Sequence, residues 1–214
     1  MSFTVADVVL DVREGVSDTL EPYRYSDAFI VRRVNQAVRR ACILRPDLFA
    51  EHATLTCVAG TLQTCPADSV RLMDVVSTGS RLAVKEINQD ALDLMIPTWP
   101  TTAGAEAQNW MRYPRDPNRF YVYPPAAGGE TLSIVYAQSP ATLTLASVVP
   151  MPDAYMPCII DGTMWLMEAI DAEHVESPRA AAFKASFEAA LGATVTNRKL
   201  TDVESAGMNR DEVV

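Results

Sequence analysis

Residues 109–125 read NWMRYPRDPNRFYVYPP, and this stretch decides how the middle of the chain is built. Its seventeen residues include four prolines, three arginines, five aromatics and a methionine. Proline fixes φ and removes a backbone donor, so it divides the segment into turns and extended pieces. Arg115-Asp116-Pro117-Asn118 reads as a turn, because Asp and Asn side chains bond their own backbone and Pro sets the bend. Phe120-Tyr121-Val122-Tyr123 reads as a short strand, since aromatic and β-branched residues suit a pleated, half-buried surface. Pro124-Pro125 is expected to stop it. The predicted unit is strand, rigid turn, strand. Trp110, Arg112, Arg115, Phe120, Tyr121 and Tyr123 are the residue types of recognition surfaces. The competing reading is that the aromatics pack the core of their own β region.

Outward from this stretch the pattern stays strand-like. Residues 53–58 alternate, Gly60 supplies a turn and residues 61–65 return, which reads as a hairpin. Residues 70–77 and 82–86 read as a strand turned at Gly79 and continued. Residues 88–96 form a short helix with Leu92 and Met95 on its buried side, and residues 101–108 a loop of small residues. Gly128-Gly129 is a tight turn, residues 132–137 are a strand, and residues 140–149 carry no clear signal.

Both ends of the chain are helical. Thr4 caps a helix over residues 4–14 whose apolar face is Val5, Val8, Val9 and Val12, and Gly15 ends it. Ser26 caps a longer helix reaching Leu44, with Ile30, Val34, Ala37, Ala41 and Leu44 toward the core. On its other side Arg32, Gln36, Arg39 and Arg40 recur at the same spacing. Such a stripe is either a solvated face or an interface meeting carboxylates of a partner. A third helix spans residues 156–173, with Ile159, Thr163, Leu166 and Ile170 along one side; Asp161 and Gly162 weaken it locally. Ser177-Pro178 starts the last helix, which runs to Leu191 with Ala181, Phe183, Phe187 and Leu191 apolar. Residues 193–214 have no amphipathic face.

The fold class is therefore α+β. Residues 1–52 and 141–192 make a discontinuous helical bundle, residues 53–140 a β-rich insertion, and residues 193–214 an extended C-terminal arm.

Composition bounds the function. A chain of 214 residues has room for one large domain or two small ones, and 49% apolar with 21% charged residues is globular. The net charge of −9 argues against a whole-surface footprint for nucleic acid. Cys42, Cys57, Cys65 and Cys158 fit no zinc spacing; Cys57 and Cys65 flank the expected hairpin, so a bridge between them is conceivable. Asp171, Glu173, His174 and Glu176 resemble a metal cluster only superficially, and a solvated acidic helix end is the simpler reading. Neither His52 nor His174 lies in a nucleophile motif, and no glycine loop cradles phosphate. Catalysis and cofactors are not expected. No signal peptide or membrane span is visible, so synthesis in a cytoplasm-like compartment is expected.

Several local patterns resemble those of tailed-phage head–tail adaptor (connector) proteins, including the podovirus type. The first is Arg33-Val34-Asn35-Gln36-Ala37 through Arg45-Pro46-Asp47-Leu48-Phe49. The second is Gly60-Thr61 with Gln63, then Pro66, Asp68 and Arg71-Leu72-Met73-Asp74-Val75. The third is Asn109-Trp110 with Pro114-Arg115-Asp116-Pro117, then Phe120 to Pro125. The fourth is Val149-Pro150-Met151-Pro152-Asp153-Ala154-Tyr155 opening a helix. Together they cover residues 26–191. The resemblance implies a ring, twelve-fold in such proteins, in the neck of the virion between portal and tail, with genomic DNA passing through without sequence-specific binding. It also implies that the C-terminal arm reaches out of its own subunit, where Val195, Leu200, Val203, Met208, Val213 and Val214 are its candidate anchors. Arg32, Arg39 and Arg40 would meet a neighbouring copy or the portal protein. The alternatives are a tail terminator or tail tube protein, expected to be mainly β, and a helical DNA-binding regulator, which the net charge opposes.

Overall fold

A computed structural model describes residues 2–102, 104, 106–171 and 178–192. The helices are α1 (Val5–Gly15), α2 (Asp27–Leu44), α3 (Gln89–Met95), α4 (Met156–Asp171) and α5 (Pro178–Ala190). The strands are β1 (Ala50–Thr56), β2 (Gly60–Thr64), β3 (Ser69–Thr78), β4 (Lys85–Glu86), β5 (Asn109–Arg112), β6 (Arg119–Ala126) and β7 (Thr131–Gln138). The chain is α+β and divides into a helical unit, from the described parts of Met1–Arg45 and Ala141–Val214, and a β unit, Pro46–Pro140.

In the helical unit, Thr4 and Asp7 form a reciprocal capping box. The bonds from the Thr4 backbone and hydroxyl hold the Asp7 carboxyl below its ordinary value. Val5, Val8, Val9 and Val12 are buried as the pattern requires. Ser26 caps α2 by accepting from the Phe29 N–H at 3.3 Å. Helix α4 packs against α1, α2 and α5 and is buried on every side from Gly162 to Met167. Gly162 makes that possible: a Cβ there would lie 2.6 Å from the Phe187 ring and 3.2 Å from Ala37 Cβ. Within α4, Thr163 bonds back to the Ile159 carbonyl at 2.7 Å, so its buried hydroxyl is satisfied.

Residues 141–150 are held by the helices that precede them in sequence. Asn35 donates to the Leu143 carbonyl at 2.9 Å and accepts from the Leu143 N–H at 2.7 Å. The Val5 N–H bonds Ser147 O, and the Val149 N–H bonds Phe3 O. Three apolar assignments are corrected. Leu44, Ile170 and Ala181 are exposed, and Val38, Cys42 and Ala180 are buried instead. At the helix ends the neighbouring helix no longer covers the stripe. In α5 the inward line is Ala180, Phe187 and Leu191, one position off the expected start.

In the β unit the strand orders are β1-β7-β3 and β2-β6-β5-β4. The hairpin expected over residues 53–65 does not form, because β1 pairs with β7 and β2 with β6. Gln63, buried, takes the place of hairpin bonds: its amide accepts from Val58 N–H at 2.9 Å and donates to the Val58 and Gly60 carbonyls. Cys57 instead exchanges backbone bonds with Glu130 and Gly129. Gly128 and Gly129 sit at φ of +97° and +83°, a turn that favours glycine.

The expected strand over residues 82–86 shrinks to β4, which runs parallel to β5. Strand β6 is not stopped by Pro124-Pro125 but continues to Ala126. Its register with β2 slips between the Gly60↔Ala126 and Leu62↔Tyr121 pairs, so the prolines lie where no ladder donor is required. Strands of both sheets contribute Leu72, Val75, Trp110, Phe120, Val122, Leu132 and Ile134 to one core. Met95, placed inside by the sequence pattern, is 74% exposed, whereas Leu92 is buried.

Cys57 and Cys65 are free, buried thiols and form no bridge with each other. Burial pushes both thiols up to about 11.

Candidate functional site

The α2 face develops from the helix's own sequence. Burying Ile30, Val34, Ala37, Val38 and Ala41 turns Arg32, Gln36, Arg39 and Arg40 outward, and all four are exposed. Among the described residues Arg32 bonds only its own helix, Nε to Ala28 O at 3.3 Å. Arg39 donates to Thr142 Oγ1 at 3.1 Å. The Arg40 guanidinium lies 4.4 Å from the centroid of the Trp165 ring, and Lys184 Nζ lies 5.5 Å from the same centroid. Half-buried Arg33 donates to Gln36 Oε1 at 2.8 Å; burial first, then the charge of Arg32, lowers its pKa below the usual guanidinium value. Arg32, Arg39 and Arg40 make no ion pair with a described residue. Ile43, 70% exposed, extends the stripe toward the helix end.

The central stretch is placed differently. Trp110 and Phe120 are fully buried, packed edge to face with centroids 6.4 Å apart. Core packing, the competing reading of these aromatics, describes where those two side chains lie. On the other face of the β5–β6 hairpin, Met111, Tyr121 and Tyr123 pack with Leu92 and Trp99. Tyr121 meets Trp99 and Tyr113 edge-on at 5.6 and 5.5 Å. Arg112 is a tie within the unit: Nε to Glu86 Oε1 at 2.6 Å, and Nη2 to the Met73 carbonyl at 3.2 Å. Of the six residues singled out here, Arg115 projects from an exposed turn. That turn forms as its residue types predict, with Asn118 N–H bonded to Asp116 Oδ1 at 2.9 Å.

Val195, Leu200, Val203, Met208, Val213 and Val214, and the arm they belong to, lie outside the described residues, as do Glu173, His174 and Glu176 and the side chain of Asp171. His52 is exposed on β1 opposite Val135. Among the described residues no group of three or more His, Cys, Asp or Glu could hold a metal. No described helix is long and apolar enough to cross a membrane.

Sequence reasoning missed a charge network built on buried Arg13 and Asp18, with exposed Asp27 at its edge. Arg13 pairs with Asp18 at 2.8 Å and with Asp27 at 2.5 Å, and donates to the Tyr25 carbonyl at 3.0 Å. The Tyr23 ring covers its guanidinium at 3.9 Å. Burial alone would raise the Asp18 carboxyl, but bonds from the Arg24 and Tyr25 N–H groups and the Arg13 charge outweigh it and lower its pKa. The available signal was Arg13 itself, a cation on the edge of an otherwise all-valine face.

Compared with known proteins, the chain matches the family model described as SU10 adaptor protein over residues 3–211. No curated protein matches it.

Proposed function

We propose a ring-forming component of the virion neck, from the premise that the chain belongs to the SU10 adaptor protein family, a family of phage head–tail adaptors. Membership gives it a structural role as a virion protein that contacts other head and tail proteins. In our reading the copies form a closed ring of roughly twelve, since identical heterologous contacts close when the rotation permits. The ring sits between portal and tail, lines the path of the DNA and catalyses nothing.

The observation that carries this reading is the exposed cationic face of α2, whose arginines pair with no described acid of their own chain. With −9 per copy, twelve copies carry on the order of −100, which favours DNA sliding over sticking. The five helices among the described residues and the helical unit speak against the mainly β architecture expected of a tail tube or terminator.

Native mass spectrometry and negative-stain images of the purified chain, alone and with the portal protein of the same phage, test this. A ring with a central opening is expected. A monomer that ignores the portal overturns it, and tight duplex binding at physiological salt would favour the DNA-binding regulator.

A further inference from the structure

The network around buried Arg13 sorts the charges of the helical unit. Arg13 is the only cation of α1, and it is turned inward onto Asp18 and Asp27. Asp27 is the only acid of α2, and it is consumed by the same pair. Apart from the paired, exposed Asp27, the exposed charges are of one sign on each helix. Asp7, Leu10, Asp11 and Glu14 are exposed along α1, and Arg32, Gln36, Arg39, Arg40 and Ile43 along α2. Each set falls at intervals of three or four residues and makes a single stripe.

The two stripes are opposite in sign. Each stripe also carries an exposed aliphatic, Leu10 at 61% and Ile43 at 70%. Asp7 is engaged in its capping box, which leaves Asp11 and Glu14 as the available acids, in no ion pair with a described residue.

We infer that the α2 stripe of one copy docks on the α1 stripe of the next copy of this chain. Two α2 stripes facing each other would oppose arginine to arginine, so a two-fold contact through this face is disfavoured. A contact between unlike faces is heterologous and propagates around a ring, and the inference rests on the ring reading above. It adds the partner of the arginines.

The test uses the full-length chain in two charge-reversed forms, R32E/R39E and D11R/E14R, with assembly read by light scattering and native mass spectrometry. Each variant alone is expected to lose the assembled species, because acid then faces acid or base faces base. Mixed in equal amounts they are expected to recover it, since an alternating ring restores unlike charges at every contact. Raising the salt from low to high should lower the assembled fraction of the wild type. The milder pair R32Q/R39Q and D11N/E14Q, each expected to weaken assembly about tenfold in concentration and not to recover on mixing, keeps the test decisive if a reversed form misfolds. If the wild type assembles and the variants assemble equally well, or the reversed mixture stays dispersed, the inference fails and the ring stands. If the wild type itself stays monomeric, alone and with the portal, the ring reading has failed.

Discussion

Phe120→Ala separates packing from recognition in the central stretch. The Phe120 ring is fully buried, edge-on to Trp110 at 6.4 Å, in a core shared by strands of both sheets of the β unit. Removing the ring loses about 2–3 kcal/mol of transfer free energy. The walls are β-sheet on both sides and collapse little, so a cavity term remains and the total is about 3–5 kcal/mol. Against a usual domain stability of about 5–15 kcal/mol this is a large fraction. With a urea slope of about 2 kcal/mol per molar, the unfolding midpoint of the β unit should fall by about 2 M. Urea titration followed by tryptophan fluorescence measures it. A midpoint within about 0.3 M of wild type, with assembly lost, would refute the packing argument and return Phe120 to an interface.

Other expectations follow from the same geometry. Gly162→Ala places a methyl 2.6 Å from the Phe187 ring and should cost about 1–3 kcal/mol in thermal or chemical unfolding, with Phe187→Leu partly restoring it. The Asp18 pKa is lowered on folding, so the unfolded chain binds that proton first; its stabilisation is present above the ordinary carboxyl value of 3.8 and is lost as pH falls through the folded value. Melting temperatures across acid pH should therefore fall less steeply for Asp18→Asn than for wild type. All four thiols are buried and raised, Cys158 to about 12 and the others to about 11, so a thiol reagent at pH 8 should label the native chain slowly and all four rapidly in denaturant. Deleting residues 195–214 should leave a folded protein by circular dichroism that binds portal poorly; unchanged binding would remove the arm from the proposal.

The helices of the bundle were legible because their signals are local. Thr4 with Asp7, and Ser26 ahead of Ile30 and Val34, announce a start and a face within one or two turns. The strands were found but not their partners. Residues 53–65, with Gly60 at the centre, carry every local mark of a hairpin, yet β1 pairs with β7, where Leu55 lies opposite Leu132. Such pairing is decided by burial across the whole unit, and by Gln63 filling the turn from within, neither of which a short window contains. Gly162, a weak point of α4 by sequence pattern, is the point where Phe187 of α5 and Ala37 of α2 approach the helix. A glycine that admits neighbours looks in sequence like one that merely breaks a pattern.

The aromatic density of residues 109–125 has a similar explanation. A sheet covered on one face alternates apolar with polar, but this hairpin is covered on both. Trp110, Phe120 and Val122 serve one core, and Met111, Tyr121 and Tyr123 pack with Trp99 and Leu92 on the other side. The break in alternation was the signal for two-sided cover, and residue type alone suggested recognition instead. The same logic sharpens the reading of α2. An arginine stripe on an acidic chain is ambiguous while every carboxylate is a possible partner. It ceases to be so when Arg13 is found to occupy Asp27, the one acid of that helix, and the described acids leave Arg32, Arg39 and Arg40 unpaired. Charges paired within the fold determine which charges remain for a partner, and only the folded arrangement of α1 and α2 reveals that selection.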